Sequence, residues 1–285
     1  MRALFLGGDI RQKYACEYLL KNGIESDVFC DFILDDTIIN KIKNTDVIIF
    51  PLPSVKEEIY LNMKAENKLN IYDIIEFIDV KHIVLGGMIN ESILASLSSK
   101  SAMVFDYYED ETFKIYNAFL SAEGAVFYAK KRMDRSIHGA SIAVMGYGRI
   151  GKILSHLLNA QGAHVSVFTR KELDRVWGSL AGFRANSIAS LSKEDKKTVG
   201  LCECDVIFNT IPAHIFDDMI LSHLKPNTLI IDVSSYPFGV SDDILSKYEL
   251  KYFRESGIPG RYAPQSAGEA LGKTIINFLE RSKSV

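Results

Sequence analysis

The feature that most constrains this chain is a glycine-rich turn between a strand and a helix. The turn reads Gly146-Tyr147-Gly148-Arg149-Ile150-Gly151, after the apolar run 141–145 and before the helical pattern 152–158. In such a unit the first glycine permits a tight turn, the second lets the backbone approach a pyrophosphate, and the third lets the helix pack on the strand. We therefore predict a bound dinucleotide at these six residues. A glycine-rich turn that only packs is the alternative.

The residues after the next strand bear on which dinucleotide binds. An Asp or Glu about 20 residues past the turn would hold the ribose 2′-hydroxyl of NAD. Here the strand 164–168 is followed by Thr169, Arg170 and Lys171. A hydroxyl and two cations suit a 2′-phosphate, so we predict NADP rather than NAD. Alternatively, Arg170 and Lys171 are solvated residues that open a helix.

Composition excludes several classes of protein. The 285 residues are 47% hydrophobic and carry a net charge of −3, so we expect neither nucleic acid nor a membrane surface as the main partner. No apolar stretch approaches the roughly 20 residues that span a bilayer. The four cysteines show no metal-ligand spacing, so we predict no metal site and expect small buried side chains in a reducing, cytoplasmic compartment. The cysteines are Cys16, Cys30, Cys202 and Cys204.

Apolar runs, turn residues and helical patterns alternate along the whole chain, which predicts an α/β fold with two Rossmann-like, doubly wound parallel sheets. The predicted strands are 3–6, 27–29, 47–50, 83–85 and 103–105 in the first half, and 142–145, 165–168, 206–209, 229–233 and 251–253 in the second. A long helix over 111–135 joins the halves, and a C-terminal helix over 267–282 crosses back. The predicted domains are 1–117 with 265–285, which binds substrate, and 118–264, which binds NADP.

Ligands of open α/β sheets bind outside the carboxyl ends of the strands. We therefore expect the loops there to line one shared cleft. In the first domain, Arg11 at a helix start suggests a carboxylate clamp, although it could instead pair with Asp9 in a structural turn. The substrate residues predicted in this domain are Gly8, Asp9, Arg11, Pro53, Ser54 and Gly87.

The second domain supplies the remaining candidates. The loop Thr210-Ile211-Pro212 is predicted to contact the cofactor, and the alternative is a rigid turn. Substrate contacts are predicted for Ser234, Pro259, Gly260 and Arg261, where Arg261 would hold a second carboxylate from a loop before the last helix. The competing interpretation of that loop is a helix cap with a wedge between domains. His214 is a weak candidate for the catalytic base, since a histidine that begins a helix is often solvated.

Gly124 lies inside the predicted long helix, where glycine costs about 1 kcal/mol relative to alanine. The close approach of a ligand or of the other domain would explain it.

Residues spread over most of the chain resemble the A subunits of dipicolinate synthase from spore-forming bacteria. They are Gly7-Gly8-Asp9 with Arg11-Gln12, Tyr116-Asn117, Glu123-Gly124, His138-Gly139, the run 209–212, Ile230-Ile231-Asp232, Gly257-Ile258-Pro259-Gly260, Ala263-Pro264 and Ser266-Ala267-Gly268. One departure is the run 234–239, where that family more often has arginine before the proline and paired glycines after it.

The resemblance implies an oxidoreductase that converts dihydrodipicolinate, formed from 4-hydroxy-tetrahydrodipicolinate, to dipicolinate with NADP. It also implies sporulation, the cytoplasm of the mother cell, and a heteromer with a flavoprotein-like B subunit; self-association is left open. Arg11 and Arg261 would then each hold one carboxylate of a planar dicarboxylate.

Two other functions stay open. A D-2-hydroxyacid dehydrogenase would share the two-domain plan, but no histidine follows His223, where that class expects one. A non-catalytic nucleotide-binding subunit of a two-subunit enzyme is also compatible, because no residue is evident as the base.

Overall fold

The computed structural model describes residues 1–63, 68–100, 103–191 and 200–282. It divides into two compact units: unit 1 contains Met1–Tyr116 and Ala263–Val285, and unit 2 contains Asn117–Tyr262. Among the described residues no helix is long and apolar enough to cross a membrane. In the same residues no three His, Cys, Asp or Glu side chains form a group that could hold a metal ion.

Unit 1 is built on a five-stranded parallel sheet with the order β2-β1-β3-β6-β7. The order reverses between β1 and β3, as in flavodoxin-like folds. Its elements are β1 (Arg2–Leu6), α1 (Ile10–Lys21), β2 (Glu25–Phe29), α2 (Asp36–Lys43), β3 (Val47–Ile49), the antiparallel pair β4 (Val55–Lys56) and β5 (Tyr60–Leu61), α3 (Ile71–Ile75), β6 (Ile83–Gly86), α4 (Glu91–Ser99) and β7 (Met103–Asp106). A short 3-10 helix (Tyr107–Glu109) follows β7, and α5 (Glu111–Lys130) carries the chain into unit 2.

Unit 2 is built on a six-stranded parallel sheet with the order β10-β9-β8-β11-β12-β13. Numbered within the unit, this is the 3-2-1-4-5-6 order of dinucleotide-binding domains, and the winding reverses between β8 and β11. Its elements are β8 (Ser141–Met145), α6 (Arg149–Ala160), β9 (His164–Thr169), α7 (Glu172–Leu180), β10 (Arg184–Ser187), a 3-10 helix (Ile188–Ser190), β11 (Val206–Asn209), α8 (Asp218–Ser222), β12 (Leu229–Asp232), α9 (Asp242–Leu245), β13 (Lys251–Arg254) and α10 (Ile258–Tyr262). The last helix, α11 (Pro264–Ser282), belongs to unit 1.

The central strands form because their residues are apolar on both faces, as a parallel sheet covered by helices on both sides requires. In unit 1, Leu4 and Ile48 enter one buried cluster, whereas Phe5 and Ile49 enter the other. In unit 2 the strands β8 and β11 divide their residues between two clusters in the same way. The fold class predicted from the sequence is confirmed.

Close packing of α11 on α1 depends on Gly268 and Gly272. A Cβ on Gly268 would lie 2.6 Å from the carbonyl oxygen of Arg11, and one on Gly272 would lie 2.8 Å from the ring of Tyr18. Both positions therefore need glycine if the two helices are to approach this closely. The last helix thereby buries Leu271 in the core of unit 1.

Several local predictions need correction. The long helix ends at Lys130 rather than Arg135, and the polar edge strand β10 and the hairpin β4–β5 were not predicted. Arg261 lies in α10 rather than in a loop; Pro259 fits there because a first-turn proline lacks an N–H that would be unpaired anyway. Gly124 is needed because α10 of the same unit packs closely against α5. A Cβ on Gly124 would lie 2.3 Å from Ile258 Cγ2.

All four cysteines are free thiols, but only Cys16 and Cys204 are buried, whereas Cys30 and Cys202 are half-buried. The expectation that all four are buried side chains is therefore wrong for two of them. Burial raises the pKa of the Cys204 thiol to about 12, so this thiol stays protonated and behaves as a small apolar group.

Candidate functional site

The glycine-rich turn of unit 2 lies at the point where the winding of its sheet reverses. Gly146 has φ +96°, and a Cβ there would lie 2.4 Å from Thr210 Oγ1. Thr210 Oγ1 donates a hydrogen bond of 2.8 Å to the carbonyl oxygen of Met145. Only glycine satisfies both the left-handed backbone and this contact. The loops after β8 and β11 are thus joined at the start of the turn.

The other two glycines of the turn have different surroundings. A Cβ on Gly151 would lie 2.2 Å from the carbonyl oxygen of Gly146, so the third glycine is required for α6 to pack on the turn. A Cβ on Gly148 would meet no atom within 4 Å, and this residue is exposed. The second glycine therefore leaves an open approach to the backbone, which is what a pyrophosphate needs.

The N-terminus of α6 has the polarity that an anion prefers. Gly148 is the N-cap and provides no side-chain cap, and the first turn contains no acidic residue. The first N–H groups of a helix lack intrahelical partners and carry the positive end of the helix dipole. This end of α6, next to the open side of Gly148, fits a dinucleotide pyrophosphate.

Two predicted cofactor residues do not present their side chains at this turn. The Tyr147 side chain is buried in the core of unit 2, where its ring lies 6.3 Å from that of Phe183. Ile150 packs against the same core. The two side chains thus anchor the turn to the core, whereas Arg149 is exposed at the start of α6.

A carboxylate that was not among the predicted ligand-binding residues lies beside the end of β9. Thr169 is buried, and its hydroxyl lies 3.5 Å from Asp174 Oδ2, because one turn of α7 brings Asp174 back over the strand end. Arg170 and Lys171 are exposed, and Arg175 donates to the carbonyl oxygen of Arg170. The residues that would surround the ribose thus include both cations and one carboxylate.

A buried carboxylate connects the loops that follow β11 and β12. Asp232 Oδ1 accepts hydrogen bonds from Asn209 Nδ2 at 3.0 Å and from the hydroxyl and backbone N–H of Ser234, and Oδ2 accepts from the N–H of Gly239 at 2.7 Å and from the Tyr252 hydroxyl. Five donors compensate for the cost of burying this group. Burial and the Asp232 carboxylate raise the pKa of Tyr252.

This network holds in place two loops that were predicted to contact the cofactor and the substrate. Asn209 Oδ1 also accepts from the N–H of Ile211, which shapes the predicted cofactor loop. Ser234, a predicted substrate residue, is buried, and its hydroxyl donates to Asp232. One sequence signal points to the network, because Asn209 and Asp232 are polar residues that end two otherwise apolar strands. Pro212 and His214 are both exposed beyond it.

In unit 1 the predicted clamp is an intramolecular ion pair. Arg11 Nε lies 2.8 Å from Asp9 Oδ1, and Arg11 Nη2 lies 2.9 Å from Asp9 Oδ2 and 3.2 Å from the carbonyl oxygen of Leu52. The arginine therefore joins the loops after β1 and β3, where the winding of this sheet reverses. The structural turn that the sequence left open is present.

The neighbouring predicted residues of unit 1 also have structural contacts. The Ser54 hydroxyl is buried and donates to the carbonyl oxygen of Gly87 at 3.0 Å. Gly87 is buried, and a Cβ there would lie 2.8 Å from the ring of Tyr107. Gly8 is buried with φ +86°, whereas Pro53 is exposed. Ser54 and Gly87 thus join the loops after β3 and β6, and Gly8 gives the turn after β1 its left-handed backbone.

Arg261 of unit 2 is paired with a buried glutamate. Arg261 Nη2 lies 2.7 Å from Glu255 Oε2, and Arg132 Nη2 lies 2.5 Å from Glu255 Oε1. Pro259 and Gly260 are buried beside it. Two guanidinium groups face one carboxylate, so the cluster has an excess of positive charge, and the Arg261 side chain is 49% exposed.

The chain is similar to known proteins over most of its length. Residues 2–108 match the family described as the N-terminal domain of the dipicolinate synthase A subunit. Residues 112–248 match the NAD binding domain of the D-isomer specific 2-hydroxyacid dehydrogenases. A curated relative, the A subunit of dipicolinate synthase from Bacillus subtilis (strain 168), is 28% identical over an alignment that covers 98% of this chain and 96% of the relative.

This chain is similar over nearly its whole length to the dipicolinate synthase A subunit. Solved structures show the same fold: that of the A subunit of dipicolinate synthase from Bacillus halodurans has a TM-score of 0.83 at 24% identity and covers 98% of this chain and 97% of its own. A D-lactate dehydrogenase from Sporolactobacillus has a TM-score of 0.67 at 16% identity, with coverages of 98% and 95%. The predicted resemblance is confirmed, and unit 2 is a nicotinamide dinucleotide-binding domain of the dehydrogenase type.

The hydrogen bond from Tyr252 to Asp232 leads to a prediction about stability. Replacing Tyr252 with Phe removes one donor to a buried carboxylate. We therefore expect the free energy of unfolding to fall by about 1 to 3 kcal/mol at pH 7. The folded protein holds the hydroxyl proton more tightly than the unfolded chain, whose tyrosine has a pKa near 10.0. This stabilisation is therefore present below pH 10 and is lost as the pH rises towards the folded-state pKa.

Urea unfolding of wild type and Tyr252→Phe at pH 7, 9 and 10.5 measures this effect. Tyr236→Phe, at a highly exposed tyrosine, is the matched control and should leave the midpoint unchanged. A difference between wild type and Tyr252→Phe that stays constant across this pH range would contradict the assignment.

Proposed function

We propose that this chain oxidises dihydrodipicolinate to dipicolinate with NADP, as the A subunit of a two-subunit dipicolinate synthase in the mother cell of a sporulating bacterium. The observation that carries this proposal is the open side of Gly148 at the N-terminus of α6, in a chain whose N-terminal residues match the dipicolinate synthase domain. The Bacillus subtilis relative supports dipicolinate as the product through its name and, because it is one subunit of that synthase, supports a partner.

The nicotinamide ring, when bound, supplies the acceptor for a hydride from a ring carbon of the substrate. The chain must orient the two rings and accept the proton that leaves the neighbouring atom as the product becomes aromatic. The Asp232 network would hold the loop of Thr210, Ile211 and Pro212 against the cofactor. His214, exposed beyond that loop, is the proposed proton acceptor.

The resemblance implies a dicarboxylate substrate, and Arg11 and Arg261 are the residues proposed to hold its carboxylates. Their described contacts use Nε and Nη2, and a guanidinium has further donors on Nη1. Asp9 balances the charge of Arg11, whereas Glu255 is shared by Arg261 and Arg132. Arg261 is therefore the stronger of the two candidates on electrostatic grounds.

NADP is the proposed nucleotide because three cations surround the end of β9. Arg170 and Lys171 are exposed at the start of α7, and Arg175 lies beside Arg170. Asp174 is the competing group, since its carboxylate could accept the ribose hydroxyl of NAD. Glu172 and Asp174 are both acidic residues of the first turn of α7, so the three cations leave an excess of one positive charge, which favours a 2′-phosphate.

Calorimetric titration with both nucleotides tests this preference. NADP should bind at least tenfold more tightly than NAD to the wild type, and Arg170→Asp should narrow or reverse the difference by removing a charge-assisted bond of about 1.5 to 3 kcal/mol. Asp174→Ala should increase it. Lys247→Asp, at an exposed residue before the amino end of β13, is the charge-matched control. Equal affinities of the wild type for the two nucleotides would refute the NADP assignment.

Binding of the product tests the two arginines. Arg261→Met and Arg11→Met should each weaken dipicolinate binding at least tenfold, since each removes a charged donor worth more than about 1.4 kcal/mol. NADP affinity should hardly change. Arg2→Met is the control, because Arg2 pairs only at an exposed position with Glu25. Normal product binding by both variants would show that other residues hold the carboxylates.

Turnover tests the reaction itself. Dipicolinate formation from enzymatically generated dihydrodipicolinate, followed by ultraviolet absorbance, should be slow for the isolated chain and at least tenfold faster with the B subunit. Full activity of the isolated chain would show that no partner is needed, and it would leave the dehydrogenase assignment standing. Activity only with 2-hydroxy acids would favour the 2-hydroxyacid dehydrogenase alternative, and no activity in any mixture would favour a non-catalytic subunit.

A further inference from the structure

Helix α7 of unit 2 exposes its apolar side to solvent. Leu173, Val176, Trp177 and Leu180 follow the spacing i, i+3, i+4 and i+7, so they form one stripe along the helix. Their exposed fractions are 66%, 51%, 55% and 75%. Among the described residues, nothing covers this stripe, which we call the α7 stripe.

The opposite side of α7 explains why its large apolar side chains face solvent. Gly178 is its buried residue, and a Cβ there would lie 3.3 Å from Ala185 Cβ on β10. Asp174 and Arg175 turn back to the end of β9, where they contact Thr169 and the backbone of Arg170. Small and polar groups therefore face the sheet, and the large apolar ones face water.

A contiguous apolar surface of this kind is unfavourable in water by about 25 cal/mol per Å², and it commonly marks a binding surface for another protein. The spacing and the central tryptophan suit insertion of a helix into an apolar groove.

The charges around the α7 stripe argue against a second copy of this chain as the occupant. Arg170 and Lys171 are exposed before its N-terminus, Glu172 is exposed at its first residue, and Arg184 is exposed just beyond its C-terminus, so three cations and one carboxylate are exposed at the two ends of the stripe. Antiparallel pairing about a twofold axis would bring Arg184 of one copy towards two cations and one carboxylate of the other, and parallel pairing would bring like charges together, so both arrangements place net positive charge against net positive charge.

We propose that the α7 stripe docks into an apolar groove, rimmed by carboxylates, on the partner subunit of the synthase. This inference rests on the proposed function, from which the partner comes. The site has a direct link to the nucleotide, because α7 begins shortly after Thr169, the last residue of β9. A partner on the stripe therefore contacts the helix whose first turn shapes the ribose end of the cofactor site.

Trp177 is the only tryptophan of the chain, so its fluorescence reports the docking directly. When the purified cognate B subunit is mixed in, the emission difference between wild type and Trp177→Phe should shift to shorter wavelength, and acrylamide quenching of Trp177 should fall at least threefold. The double variant Leu173→Glu, Leu180→Glu should bind the B subunit with a dissociation constant raised at least 100-fold. Binding of the wild type should weaken as salt increases.

Ile33→Glu is the control, since Ile33 is 72% exposed in unit 1 and should leave B-subunit binding unchanged. Unaltered far-ultraviolet circular dichroism and NADP binding establish that the double variant is folded. Equal binding of the B subunit by the double variant, or no binding by the wild type, overturns the proposal. Concentration-dependent dimers of the chain alone that the double variant abolishes would overturn it in favour of a second copy. Nucleotide titration and dipicolinate formation report separately on the proposed function.

Discussion

The candidate site of unit 2 depends on two contacts that exclude a β-carbon. Gly146 lies against the Thr210 side chain, and Gly151 lies against the carbonyl oxygen of Gly146. The first contact joins the ends of β8 and β11, and the second brings the N-terminus of α6 over the end of β8. Any side chain at these positions would push the helix away from the strand ends. The positive end of α6 is therefore placed where the sheet reverses its winding.

A second constraint holds the neighbouring loops to that edge. Asp232 is a buried carboxylate without a lysine or arginine among its described hydrogen-bond partners, so its burial depends on the five neutral donors around it. Those donors come from β11, from the loop after β12 and from β13, which makes the geometry of three segments interdependent. Loss of one donor affects a loop proposed to contact cofactor and another proposed to contact substrate, although neither contact involves Asp232 itself.

The sequence predicts the sheets well because parallel strands covered on both faces are continuous apolar runs. Where a strand lies at the edge this signal disappears, and β10, which reads Arg-Ala-Asn-Ser, was missed for that reason. Periodicity also predicts helices, but it does not show which side of a helix faces the core. Helix α7 has the apolar periodicity of a core helix, yet its apolar side faces solvent. Pairings over long separations, such as Arg132 with Glu255, have no local sequence signal at all.

The candidate residues divide by the same logic. Glycines of the turn could be assigned because their role is local and backbone-based, whereas Arg11 and Arg261 could be named without establishing that Asp9 and Glu255 pair with them. Asp174 shows the limit most clearly, because it lies five residues beyond Thr169 in sequence and one helical turn brings its carboxylate back to the strand end. The groups next to the end of β9 are therefore placed by the direction of α7 as well as by the residues that follow the strand. Since the outer side of the same helix is the exposed apolar stripe, a partner bound there and a nucleotide bound at the first turn would act on one rigid element.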